Sequence, residues 1–160
     1  MKIILVEFSD AHRAWAQKLL TEYWASCFSV SRGRIHRADL LPGYVALIEK
    51  EPMGLLTYHI SGKECEITTL NSLREGAGIG TMLIDAAREA ALKAGCTRLW
   101  LITTNDNLPA VRFYQKRGFE LVAVHRGAIA ESRKLKPEIP HIGLDGIPIR
   151  DEIEMEMRIS

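Results

Sequence analysis

A chain of 160 residues, 47% of them hydrophobic, has the length of one domain and enough apolar material for one packed core. Its 21 Lys and Arg against 20 Asp and Glu leave a formal charge of +1, which argues against nucleic acid as a partner. Three scattered cysteines, Cys27, Cys65 and Cys96, form no C-x-x-C pair, which speaks against a disulfide framework or a zinc site and fits reduced thiols in a cytoplasmic protein.

Residues 2–8 are β-branched and apolar and read as a strand. That run is too short to span a membrane, and Glu7 and Asp10 interrupt it without a small-residue cleavage site, so neither a membrane segment nor a signal peptide is expected. Ser9 or Asp10 is suited to cap a helix running to about Tyr23, with Ala14, Leu19, Leu20 and Tyr23 among its apolar positions. Residues 29–37 are polar, basic and aperiodic, and read as a loop with one helical turn at most.

From Tyr44 the pattern becomes an antiparallel meander. Residues 44–50, 53–60 and 65–71 alternate with turns at Glu51-Pro52 and Ser61-Gly62-Lys63. A glycine loop follows, and then an amphipathic helix over 79–94 that ends at Gly95. Residues 98–104 read as a strand buried on both faces, 108–117 as a short helix and 119–125 as a strand. Residues 126–150 carry Pro137, Pro140, Gly143, Gly146 and Pro148 and read as a long, largely irregular loop, the kind that is usually functional or mobile. The alternation in I-E-M-E-M-R-I closes the chain as a half-buried strand. With no linker or repeat, residues 1–160 read as one α/β domain with a mixed sheet, in the order β-α-βββ-α-β-α-β-loop-β.

The loop R-E-G-A-G-I-G-T-M-L, residues 74–83, sets Gly76, Gly78 and Gly80 at alternate positions between a strand and a helix. A dinucleotide fingerprint needs G-x-G-x-x-G, and a P-loop needs a lysine after its last glycine; neither spacing is present. Strand, glycine loop and helix N-terminus together aim free backbone N–H groups at an anion. The same glycines also permit close strand–helix packing, so the loop alone leaves both readings open.

A second motif, N-x-x-A-x-x-F-Y-x-x-x-G-F from Asn107 to Phe119, lies one helix and one strand downstream. Together with G-x-G-I-G-x-x-L it resembles the GNAT superfamily of N-acetyltransferases, closely over residues 64–125 and loosely, by strand order, over the whole chain. The resemblance implies acetyl-CoA as acyl donor and a primary amine on a small molecule or peptide as acceptor; no metal is expected from the residues themselves. It implies that Glu75, Gly76, Ala77, Gly78, Ile79, Gly80 and Thr81 grip the coenzyme A pyrophosphate. It further places Leu70, Ser72, Asn107, Ala110 and Phe113 along the coenzyme, with the Leu70 amide near the acetyl carbonyl and Asn107 on the pantetheine arm. Asn107 is equally suited to cap the following helix. The family pattern has arginine or glutamine where this chain has Glu75, so the Glu75 amide is expected to face the pyrophosphate and its carboxylate to face water. Lys116 and Arg117 are candidates for the 3′-phosphate, or a solvated basic face.

Tyr114 stands where the family commonly has its tyrosine acid, and a phenol with reference pKa near 10 is protonated and able to donate at neutral pH. Phe113 and Tyr114 also suit a structural role as core aromatics on a short helix. Glu66 matches the family's glutamate base; alternation places it with Glu64 and Thr68 on one strand face, which also suits a solvent-facing strand. His125 is a second candidate base. Arg32, Arg34, His36 and Arg37, with the 126–150 loop, are candidates for the acceptor site, where arginines can hold a carboxylate or phosphate. The scattered histidines lack metal-ligand spacing. The expected activity is N-acetyl transfer by direct attack in a ternary complex; the alternative is a non-catalytic acyl-CoA-binding, sensing module of the same fold. The acceptor and the assembly, a homodimer among the options, are left open.

Overall fold

The computed structural model describes residues 2–159. In chain order these form β1 (Ile3–Glu7), α1 (Arg13–Trp24), β2 (Phe28–Ser31), β3 (Arg34–Arg37), β4 (Gly43–Ile48), β5 (Glu51–Ser61) and β6 (Glu64–Ser72). There follow α2 (Ile79–Lys93), β7 (Arg98–Thr104), α3 (Leu108–Lys116), β8 (Glu120–His125), α4 (Ala128–Leu135) and β9 (Glu152–Arg158). Seven strands make one sheet in the order β1-β4-β5-β6-β7-β9-β8, antiparallel throughout except where β6 meets β7. This is the mixed-sheet α/β domain expected from the sequence. No described helix is long and apolar enough to cross a membrane.

The main core lies on the sheet face covered by α2 and α3. Leu83, Ile84 and Ala87 of α2 meet Leu56, Cys65, Ile67, Leu99, Leu101 and Met155 from the sheet. α1 buries Ala16, Leu19 and Leu20 against Phe8, Val45 and Leu55 in a smaller cluster. Leu99 and Leu101 of β7 are buried while Trp100 and Ile102 on its other face are half-buried, so this strand is not closed over on both sides as expected.

Further expectations need correction. Residues 28–37 are the β2–β3 hairpin, not a loop with a helical turn. Its two-residue turn, Arg32-Gly33, has positive φ at both positions (48° and 74°), and an arginine in that role does not give the usual Asn-Gly signal. The first turn of the helical region is a 3-10 turn, Asp10–His12, with no side-chain cap from Ser9; Ala14 and Tyr23 are exposed, because the face of α1 turned to the core carries Ala16 instead. Within 126–150 there is an eight-residue helix, α4, and an Ile142–Pro148 bridge, so the segment is a folded strap over the sheet. The turn before β5 falls at Glu49-Lys50, with positive φ at both, earlier than the proline suggested.

One irregularity positions the site. Thr57 of β5 faces Thr69 and Tyr58 faces Ile67, which leaves Thr68 as an extra residue in β6. A bulge of this kind bends its strand. Pairing of β6 with β7 ends at Ile67–Leu101, immediately before that residue, and the two strands run on without further ladder partners between them. The Thr57 hydroxyl pins the bend through hydrogen bonds with Thr68 (2.7 Å) and Thr69 (2.6 Å). A wedge-shaped opening therefore interrupts the middle of the sheet.

Candidate active site

Two cavities border this wedge. One, of about 640 Å³, is lined by Leu70, Ser72, Arg74, Glu75, Gly76, Gly78, Ile79, Gly80 and Thr81 on the β6–α2 side. Pro109, Ala110, Phe113, Tyr114 and Arg117 line it from α3 and the residue after it. The other, of about 580 Å³, is roofed by the end of α1, the β2–β3 hairpin and the strap, and holds Glu66, Thr68, Asn107 and Glu152.

The glycine loop is built for backbone approach. Gly76 and Gly78 have φ of 75° and 85°, a conformation that side chains other than glycine seldom take, and no atom lies within 4 Å of where a Cβ would stand. No side chain caps α2, whose N-cap is Gly78, so its first-turn amides face the cavity without a side-chain partner. Gly80 serves packing instead, since a Cβ there would sit 2.7 Å from Phe113 Cζ, and its absence admits the α3 aromatic against α2. Ala77 turns inward and packs on the core. Glu75 is exposed. Positive charge is supplied by Arg117, which donates to Thr81 Oγ1 and Phe113 O at 2.9 Å each and stacks 3.6 Å from the Phe113 ring centroid. Lys116 is exposed and does not line the cavity. Open backbone geometry, helix N-terminus and a fixed guanidinium fit a pyrophosphate-bearing ligand such as coenzyme A.

Tyr114 is 8% exposed, wedged edge-on between Phe113 and Phe119, and reaches the same cavity. Burial pushes its phenol well above the usual range. Asn107 accepts from the Ala110 amide at 3.3 Å, so it does cap α3, and it lines the other cavity rather than this one.

In the second cavity Glu66 is 5% exposed. Burial raises its carboxyl to about 7, reinforced by the nearby Glu152 and Glu154, while a Ser31 Oγ hydrogen bond (2.5 Å) and Arg34 pull the other way. His36 Nε2 stands 3.7 Å from Glu66 Oε1 and has no hydrogen-bond partner; burial, then His59 and Arg34, keep this imidazole below its ordinary range. A carboxyl that titrates near neutrality, facing a cavity, is suited to accept a proton. Glu64, on the same strand face, is instead exposed and paired with Arg98. His125 is bound to Glu154 at 2.8 Å and does not line the cavity.

None of the arginines singled out in the sequence lines this cavity. Arg32 binds the fully buried Glu152 through its amide and Nη1. Arg37 forks onto Asp39, and neither Arg34 nor Arg37 lines the cavity. Sequence reasoning missed Ser31, Glu152 and Lys136 as cavity residues. Glu152 stands just before the alternating run that reads as the closing strand, and no local pattern signals that distant segments bury it. Cys65 and Cys96 lie in the main core, and burial raises Cys65 to about 12, so neither serves as a nucleophile.

Among known proteins, residues 5–119 match the acetyltransferase (GNAT) family. YdhI of Bacillus subtilis, an uncharacterized protein, is 46% identical over 144 residues, covering 86% of this chain and 89% of that one. An IAA acetyltransferase from Bacillus cereus has the same fold, with a TM-score of 0.71 at 20% identity over 98% of this chain and 99% of the other. A Bacillus subtilis acetyltransferase solved in complex with CoA gives 0.67 at 20% identity, covering 99% of both chains. The chain belongs to the GNAT family of acetyltransferases, enzymes that depend on an acyl-CoA donor.

Proposed function

We propose that the protein is an N-acetyltransferase that moves an acetyl group from acetyl-CoA to a primary amine by direct attack, with both substrates bound at once. The observation that carries this reading is the pair of cavities beside the β6–β7 wedge, one walled by the glycine loop and α3, the other holding the buried Glu66. Each cavity has room for one reactant, and the wedge is where the two can touch.

Backbone amides of residues 75–81 hold the pyrophosphate, with Arg117 beside them, and Ala110 and Phe113 flank the arm. Acetyl-CoA supplies an electrophilic carbonyl and a thiolate leaving group. Beyond Ile67 the β6 backbone has no ladder partner on its β7 side, and the Leu70 amide polarises the carbonyl; such a preorganised donor contributes typically a few kcal/mol. Glu66 takes the proton from the incoming ammonium, which frees the nitrogen lone pair to attack the carbonyl carbon. The C–S bond then breaks as the tetrahedral centre collapses, and the second proton lost by the nitrogen passes to the departing thiolate or to water, leaving an amide and CoA. Tyr114 stabilises the departing sulfur. Full proton transfer from a phenol to a thiolate is uphill by about 2 kcal/mol at reference pKa values, and burial of Tyr114 raises that cost, so its role is hydrogen-bond donation.

The test has two steps. Acetyl-CoA or CoA should raise the melting temperature while ATP and NAD do not. Thiol release over a panel of amines, amino acids, polyamines, aminoglycosides and peptides should then show acceptor-dependent turnover. CoA binding without turnover on any acceptor would make the protein a binding module instead.

A further inference from the structure

Inside the second cavity one cation stands apart. Lys136, in the strap just after α4, is 6% exposed and lines the cavity wall. Its ammonium donates to one group, the Phe28 carbonyl at 2.8 Å, and forms no ion pair with any described residue. Buried charges are normally paired, because a desolvated ammonium with unused N–H groups is costly. Burial lowers its proton affinity and Glu138, exposed at the rim, restores part of it. The three arginines of the β2–β3 hairpin region do not fill this role: Arg32 is held by Glu152, Arg37 by Asp39, and Arg34 lies outside the cavity wall.

We infer that Lys136 is a specificity-determining residue that binds the carboxylate of an amino-acid acceptor, while Glu66 faces the acceptor's amine. The inference rests on the reading of this cavity as the acceptor site. Inside the cavity Glu66 and Glu152 stand on the sheet and Lys136 on the strap, while Glu22 and Glu138 are exposed at its rim. Trp24, Val30, Ile102, Ile129, Ile139 and Ile149 give the cavity apolar wall, with serine and threonine hydroxyls among them. One ammonium matches one negative charge, so a carboxylate fits, whereas a phosphate dianion would leave charge uncompensated beside Glu138. The acceptor class is therefore an amino acid with an apolar side chain, held as a zwitterion before its amine is deprotonated.

Matched pairs that differ only in the carboxylate test this: phenylalanine with phenethylamine, tryptophan with tryptamine, leucine with isoamylamine. Binding to the CoA-saturated protein is measured by titration calorimetry, and acetyl transfer from acetyl-CoA by mass spectrometry. The acid-bearing member of a pair should bind roughly tenfold tighter or more, as a charge-assisted hydrogen bond warrants. In Lys136→Met the ratio within each pair should fall to about one, and Lys136→Arg should retain a preference for the acid. The wild-type ratio is itself decisive and needs no variant to fold. Equal or tighter binding of the acid-free amines, binding of neither series, or a ratio that survives Lys136→Met would overturn the inference. So would a gain of one acetyl group on Lys136 itself, which would make it a target rather than an anchor. Lys136-dependent binding of the acids without acetyl transfer would uphold the anchor and refute the transferase.

Discussion

The two cavities at the wedge are built in opposite ways. The glycine-loop cavity takes its walls from two short runs of chain, residues 70–81 and 109–117, and much of its chemistry is backbone. The Glu66 cavity draws on α1, β2, β6, β7, the strap and β9, and its chemistry is side chains taken out of water. The first kind of site needs only glycine, a helix end and a nearby cation. The second kind exists only when distant segments fold over one sheet face and change the protonation behaviour of what they cover. A donor shared by a whole family suits the first construction; an acceptor particular to one protein suits the second.

Substitutions should separate the two cavities. Glu66→Gln is expected to lower kcat/KM by about 10²- to 10⁴-fold, the usual range for a general base, while CoA affinity changes by less than about twofold. The wild-type rate should climb through about pH 7 as Glu66 ionises, and the variant should lose that limb. An unchanged rate would remove Glu66 from the chemistry.

The same substitution has a stability consequence. The folded-state carboxyl of Glu66 sits near 7 against an ordinary 4.5, so the folded protein binds more protons than the unfolded chain between these values. Its stability therefore falls as pH rises from about 4.5 to about 7, by on the order of 3 kcal/mol from this group alone. Glu66→Gln should accordingly be more stable than wild type at pH 8 by denaturant unfolding, and the advantage should vanish near pH 4. A destabilised variant at pH 8 would show that Glu66 is paired more favourably than its burial implies.

Tyr114→Phe is expected to cost at least about tenfold in rate with little change in CoA affinity, since the ring packing on Phe113 and Phe119 survives. Glu75→Gln should matter least. Its carboxylate is exposed and screened, so CoA affinity should shift by less than about threefold. A gain of tenfold or more would mean that the carboxylate faces the pyrophosphate.

This contrast also explains what was readable in the sequence. The α2 stripe, the meander and the Gly76-Gly78-Gly80 spacing are local patterns, and they appear as expected apart from the turn before β5. Tyr114 and Glu66 are identifiable by their places in motifs, but nothing local shows that Glu66 is buried and raised toward 7. That follows from burial, with Ser31 and His36 carried over it by a hairpin whose Arg32-Gly33 turn holds an atypical residue, and from Glu152 and Glu154 on β9. The strap is legible only as proline- and glycine-rich chain. Lys136 gains meaning when α4 turns it inward, and the basic run at 32–37 loses its apparent meaning once Arg32 and Arg37 have found carboxylates.

The most direct test of the two-cavity account is the initial-velocity pattern when acetyl-CoA and an accepted amine are varied together. Simultaneous occupancy with direct attack predicts double-reciprocal lines that intersect to the left of the ordinate. Parallel lines, together with an acetylated enzyme isolated in the absence of acceptor, would contradict it.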